Sequence, residues 1–208
     1  MSEGPARTTE PRKGRQLPVR QQYKQMTRER VLDASVRVFL ERGYADSTID
    51  DIVAAAEVGR ATFYLHFKSK LEVMRAIIKS REEQNEALIK ELRSEHNPTP
   101  DSLETWLRRF VSHWATEGDR FLVGLQALAS EPELTGELEA GLRLTAETLA
   151  KFLAKKRRLP AAETALRAEL LVGALQQACR ALVVSPGRYD VDLVVRVVAG
   201  IWVDNLLD

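Results

Sequence analysis

Apolar residues recur at spacings of three and four along most of this chain, and the breaks between those stretches carry glycine, proline or capping residues. Over residues 24–42, Val31, Leu32, Ser35, Val38 and Phe39 fall on one face, the period of a helix half buried against a core. Gly43 follows where a positive φ costs glycine nothing, and Tyr44 is expected to fold back into a small core. Thr48, with Asp51 three residues on, predicts an N-cap and a capping box. Ile49, Ile52, Val53 and Ala56 then form the inner face of a short second helix. Glu57, Val58 and Gly59 make a turn, and residues 60–65 a third helix with Phe63 pointing inward. Ser69 caps a fourth helix, with Glu72 as the far corner of its box. Leu71, Met74, Ile77, Ile78, Leu88, Ile89 and Leu92 carry that helix to residue 94, before Pro98 and Pro100 end it.

The rear of the chain keeps the same period. Helices are predicted over residues 101–117, 121–130, 132–158, 161–184 and 191–207, with Gly118 and Asp119 as a break. Residues 191–198 are β-branched enough to pass for a strand. Leu193, Val194, Val197, Val198, Ile201 and Trp202 nevertheless fit a helical face, and no second strand candidate exists to pair with them. The pattern therefore predicts an all-α fold.

Composition narrows the class. The chain has 208 residues, 44% hydrophobic and 29% charged, enough for a real core and ordinary for a globular protein. No apolar run approaches the roughly 20 residues that span a bilayer, and the N-terminus lacks the apolar region of a secretory signal. Cys179 is the single cysteine, which fits a reducing cytoplasm. The three histidines, His66, His96 and His113, have no metal-ligand spacing. No catalytic set and no cofactor loop stands out. The pairs Glu82/Glu83 and Glu137/Glu139 read as solvated helix faces, and the basic run 155–158 as a helix C-terminus complementing the macrodipole.

Charge is unevenly placed: residues 1–80 hold 15 Lys/Arg against 10 Asp/Glu, and residues 81–208 hold 16 against 20. A basic front suits a chain that meets nucleic acid at one end. Residues 1–22 lack apolar periodicity and read as a flexible basic arm, either a solvated tail or one that follows a DNA backbone or minor groove.

Two short helices joined by a tight turn, over residues 48–67, are a device for placing the second in a major groove. Thr62, Tyr64, His66 and Lys70 at its end are groups suited to a phosphate backbone. The run Glu-Arg-Gly-Tyr44, then Ser47-Thr-Ile-Asp-Asp-Ile52, then Val58-Gly-Arg-Ala-Thr-Phe-Tyr-Leu-His-Phe-Lys-Ser-Lys70, resembles the TetR family of transcriptional repressors over residues 27–78. The resemblance implies a three-helix DNA-binding head, a homodimer, and an effector cavity in the rear. It implies that Thr48 caps helix two and touches a phosphate. Gly59 would cap the recognition helix, Arg60, Ala61 and Thr62 would face base edges, and Tyr64, His66 and Lys70 would hold the backbone. An arginine so placed can reach guanine bidentately, ~1–3 kcal/mol of discrimination. Two departures from the family pattern fall in the turn. Glu57 stands where glycine is usual and disfavours a positive φ, and Gly59 stands where Ser or Thr usually caps. Gly59 is expected to take some of the conformational load, and the two departures leave the turn geometry open.

Trp106, Phe110 and Trp114 recur every four residues. They form either packing core or the aromatic wall of an effector cavity, with Phe121, Leu125, Phe152, Gln176 and Cys179 as further lining residues. Leu170, Ala174, Val194, Val198, Ile201 and Trp202 would suit a symmetric four-helix interface, with Gly173 and Gly200 allowing close approach; the alternative is that they complete the subunit's own core. The domains expected are 1–22 (arm), 23–70 (helix-turn-helix head) and 71–208 (effector binding and dimerisation). The expected function is a cytoplasmic repressor that leaves a double-stranded palindromic operator when a small hydrophobic or amphipathic effector binds, with no membrane partner. The rivals are an activator, a regulator without ligand, a helical enzyme, and a partner-binding helical protein.

Overall fold

The structure, a computed structural model, describes residues 18–94, 98–156 and 159–206. Among them are nine helices and no strand: Val19–Arg42 (α1), Ile49–Ala55 (α2), Arg60–Tyr64 (α3), Lys70–Ser94 (α4), Pro100–Thr116 (α5), Gly118–Ser130 (α6), Glu133–Lys156 (α7), Ala161–Val184 (α8) and Val191–Leu206 (α9). No helix among the described residues is long and apolar enough to cross a membrane.

The caps expected in the front of the chain form. Thr48 Oγ1 accepts from the Asp51 N–H at 3.2 Å, and Asp51 Oδ2 takes the Thr48 N–H at 2.9 Å. Gly43 ends α1 at φ 83°, its N–H bonded to the Phe39 carbonyl. Ser69 Oγ accepts from the Glu72 N–H, whereas the Glu72 carboxylate takes the Lys68 N–H, one residue before the expected corner. Two boundaries differ. Helix α1 begins at Val19, because Pro18 supplies a pre-set φ just before the first turn, so residues 19–22 are helix and not arm. The rest of the expected arm, residues 1–17, lies outside the described residues. Gly118 starts α6 instead of breaking the chain before Phe121. Of the basic run 155–158, the last two residues lie outside the described set.

Two apolar clusters organise the molecule. The front cluster gathers Val31, Leu32 and Phe39 of α1, Tyr44, Ile52, Phe63 and Phe67, and the face Val73, Met74, Ile77 of α4. Val123 and Ala127 of α6 and Leu134 of α7 belong to it as well. The rear cluster is built from α5, α7, α8 and α9 around Trp106, Phe110, Leu149, Leu175 and Trp202, with Ile89 and Leu92 from the far end of α4. Each fully buried large apolar side chain contributes roughly 1.5–3 kcal/mol, so α4 is held by both clusters. Residue 70 is therefore not a seam: the front core needs parts of α4, α6 and α7.

Candidate nucleic-acid interface and rear cavity

Helix α3 is short, and its position rests on two anchors. Phe63 and Phe67 are fully buried, with ring centroids 5.9 Å apart. On either side of Phe63 the helix turns outward: Ala61 and Tyr64 are exposed and Thr62 is half-buried. Arg60 is exposed at 61%, paired with Asp50 at 3.1 Å across the surface. Exposed pairs contribute only ~0–1 kcal/mol, so Arg60 can exchange Asp50 for another acceptor at little cost. Thr48 is exposed, its hydroxyl engaged with Asp51. The hydroxyl and backbone hydrogen bonds from Thr48 hold the Asp51 carboxyl below its usual range, with Arg42 assisting at 2.7 Å.

The turn before α3 carries a correction. Glu57 itself adopts φ 51°, while Gly59 has the ordinary extended φ of −76°. The strain of a non-glycine residue in the left-handed region is thus accepted at Glu57, at roughly 1–2 kcal/mol. Arginines of α1 hold the segment: Arg30 donates to the Glu57 carbonyl and Arg37 to the Ala55 carbonyl, each at 3.3 Å. Gly59 serves as N-cap without a side chain.

Lys70 is placed differently from its expected role. Its ammonium donates to the carbonyls of Tyr44, Ala45 and Ser47 and sits 4.5 Å from the Tyr44 ring centroid. An ammonium has three N–H donors, so all are engaged in fixing the 44–47 turn. Burial lowers its pKa. Lys70 is a strut of the head, and a phosphate would feel its field more than its hydrogen bonds.

His66 is half-buried, and its Nδ1 is buried without a partner. Burial lowers its pKa first, then the charges of Lys24 and Arg28. Arg28 also stacks over Phe67 at 5.0 Å. This group of Lys24, Arg28 and His66 joins the start of α1 to the end of α3. Sequence reasoning missed Lys24 and Arg28, whose spacing of four on one helix was the available signal.

The rear helices divide the expected ligand residues. Trp106 lies in the core against Trp202, ring centroids 5.4 Å apart, its indole N–H donating to the Leu88 carbonyl. Phe152 and Cys179 are buried in the same cluster, and burial pushes the Cys179 thiol up to about 12. These three are core, because the stripe's N-terminal end faces α9 and not a cleft. Trp114, Phe121, Leu125 and Gln176 instead line a cleft of about 260 Å³ together with Arg81, Leu138 and Leu142. Phe110 and Gln176 line a smaller recess beside it, with Arg81, Glu82 and Asn85. Glu82 is no solvated face: its Oε1 is buried without a hydrogen-bond partner, and burial raises its pKa. Sequence reasoning missed Arg81, whose neighbours across the cleft come from helices remote in the chain. Among the described residues no cluster of His, Cys, Asp or Glu could hold a metal ion.

The expected interface residues also divide. Val194, Val198 and Trp202 are buried within the subunit, whereas Leu170 is 65% and Ile201 42% exposed, and Ala174 half-buried. Helix α9 is apolar on most sides. Its inner face is Val194, Val195, Val198, Ala199 and Trp202, rotated from the expected one. Leu193, Val197 and Ile201 are left outward, lining with Ala174 and Ala178 a groove of about 540 Å³ between α8 and α9. Nothing lies within 4 Å of a Cβ built at Gly173 or Gly200, so neither serves close packing inside the subunit.

Side chains also tie head to rear. The Tyr44 hydroxyl donates to Glu131 at 3.0 Å. Arg75 of α4 donates to Glu133 and Glu137 of α7, each at 2.8 Å, and Arg120 of α6 to Asp33 of α1 at 2.6 Å.

Residues 31–77 match the model of bacterial regulatory proteins, tetR family. The transcriptional regulator SrpR of Pseudomonas putida is 45% identical over 56 residues, 27% of this chain and 26% of that protein. The transcriptional repressor BepR of Brucella suis biovar 1 is 34% identical over 113 residues, 54% of each chain. The matched segments thus span about a quarter to a half of these relatives' own lengths. The regulator FadR of Bacillus subtilis, solved in complex with stearoyl-CoA, superposes with a TM-score of 0.69 at 22% identity, covering 85% of this chain and 98% of that one, a likeness of fold. Residues 31–77 thus carry the head of the bacterial regulatory proteins, tetR family, and the residues behind it share an all-helical fold with solved regulators.

Proposed function

We propose that this protein is a cytoplasmic, ligand-responsive repressor that binds a palindromic operator as a homodimer. The observation that carries the reading is the exposure of Arg60, Ala61 and Tyr64 on a helix anchored from behind by Phe63 and Phe67. A structural helix gains nothing by presenting those side chains to water. Arg60 reads a base edge after releasing Asp50. Tyr64, with His66, Lys24 and Arg28, engages phosphate oxygens, which position the head without specifying sequence. The outward apolar residues of α8 and α9 make the symmetric contact. The two heads then sit about 34–36 Å apart, or a multiple, to enter successive major grooves.

Effector binding between α4, α7 and α8 changes that separation. The support is physical continuity: the cleft residues Arg81 and Leu138 lie on the same helices as Arg75 and Glu137, whose ion pair joins α4 to α7 beside the head. By linkage, an effector that releases DNA must bind the DNA-free form more tightly, and the coupling is reciprocal. The stearoyl-CoA carried by the FadR neighbour is consistent with an amphipathic effector. The test is a gel shift against the promoter of the protein's own gene neighbourhood at two salt concentrations. Binding should weaken steeply with salt, and Arg60→Ala should cost about tenfold to hundredfold in affinity while relaxing selectivity at one position. Unchanged affinity and selectivity in Arg60→Ala would remove α3 from the interface.

A further inference from the structure

Arg81 carries a buried donor that no described residue meets. Its side chain is half-buried, it makes no hydrogen bond or ion pair with the described residues, and its Nε is buried without a partner. What surrounds it is aromatic: the guanidinium carbon lies 5.1 Å from the Trp114 ring centroid and 5.4 Å from that of Phe121. Cation–π contacts hold the faces of a guanidinium but offer its in-plane N–H groups no acceptor. Buried charges in proteins are paired as a rule, and an unsatisfied buried donor calls for an explanation.

Glu82, the adjacent carboxylate, does not supply that partner. It forms no ion pair with Arg81, and its Oε1 lies against the α7 backbone at Gly141, where an added Cβ would collide with it. A carboxyl group can also relieve its burial by taking up a proton, the direction in which its surroundings push it. A guanidinium cannot lose its proton in a protein. Of the two orphaned groups, Arg81 is therefore the one whose charge must be met from outside. It lines both the cleft of about 260 Å³ and the adjoining recess. The rest of the cleft wall is apolar apart from Gln176, Gln177 and Arg180.

We propose that the effector is an amphipathic anion whose carboxylate or phosphate-like head is received by Arg81, with its apolar body lying between Trp114, Phe121, Leu138 and Leu142. The proposal rests on the effector-cavity reading above and narrows it to a ligand class. The planar fork of a guanidinium suits bidentate pairing with such a head. Gln176 of α8 lines both cavities with Arg81 and offers the same head a hydrogen-bonding amide. Because Arg81 belongs to α4, an anion bound there also pulls directly on the helix that enters the head.

The test uses three probes with one carbon skeleton: decanoate, decanol and decyltrimethylammonium, each below its micelle concentration. Binding to the full-length protein without DNA is read by calorimetry and by quenching of tryptophan fluorescence, since Trp114 lies beneath Arg81. Decanoate should bind at least about tenfold more tightly than decanol, and the ammonium more weakly than either. Arg81→Met should bring decanoate and decanol to within about threefold of each other while decanol binding persists. Arg180→Met, at the exposed mouth of the same cleft, should leave the preference in place. The proposal is overturned if decanol matches decanoate in the unmodified protein, if the ammonium is preferred, if the preference survives Arg81→Met or vanishes in Arg180→Met, or if no probe binds. The unmodified protein's ratio decides the matter even should Arg81→Met fail to fold. Operator release is scored separately by gel shift. An anion preference without release would break the regulatory reading and leave the assignment of Arg81 standing.

Discussion

Lys70 and Arg81 stand about three turns apart on α4, and the protein treats them in opposite ways. Lys70 directs its ammonium at three backbone carbonyls and an aromatic face, so the head closes on it. Arg81 has two aromatic faces and no acceptor. A cation whose donors are all met by the chain is a structural part. One desolvated without acceptors costs stability in the free protein and has to be justified by something it binds. The front end of α4 is thus complete within the subunit, while the rear end is arranged for a partner.

That contrast can be broken most sharply at Lys70. Lys70→Met leaves three carbonyls without their charged donor and should lower stability by about 2–3 kcal/mol. Read by circular dichroism or calorimetry, this is a drop in Tm of roughly 4–12 °C for a chain of this size. The same apolar replacement at Arg81 should act the other way. Removing an unpartnered buried charge is neutral to stabilising, by up to ~2 kcal/mol. A loss at Arg81 as large as that at Lys70 would mark both as struts and erase the distinction.

A smaller effect is expected in the turn. Glu57→Gly releases a left-handed backbone strain at φ 51° and should raise stability by about 0.5–1 kcal/mol after the added chain entropy of glycine. Destabilisation there would mean that the Glu57 side chain has a partner whose contribution outweighs the strain.

The smallest effect concerns pH. The folded His66 pKa is depressed, by burial first and then by Lys24 and Arg28. Its share of folding stability is therefore full above the unfolded value near 6.5 and falls as pH drops through the folded one. A phosphate at His66 would act in the opposite direction and favour proton uptake. Operator affinity should then rise by roughly twofold to fivefold between pH 8 and pH 6, beyond the change seen in His66→Gln. Identical pH profiles for the two proteins would place His66 outside the phosphate contact.

The head was legible because its information is local. Thr48 and Asp51 box α2, Gly43 closes α1, and Phe63 and Phe67 repeat on one side of α3 with Tyr64 on the other; each feature involves neighbours within a few residues. The rear was legible only as helices. The stripe Trp106, Phe110, Trp114 has one period, yet its first member packs on Trp202 and its last lies under Arg81. Which end is core and which is wall depends on where α9 and α4 lie against α5. Glu82 looked like a solvated face because nothing near it in the chain says that Gly141 leaves room for it to be buried. Helix α9 is apolar on nearly every side, so periodicity could not choose its inner face.

By itself, the order of residues determined the helices, their caps and the outward chemistry of α3, since those follow from backbone hydrogen bonding and side-chain spacing within a few residues. Only the tertiary structure decided that Lys70 is a strut, that Arg81 is a desolvated cation at a cleft, and which face of α9 turns inward. Burial and charge pairing are set by side chains brought together from helices distant in the chain, and no local pattern encodes that meeting.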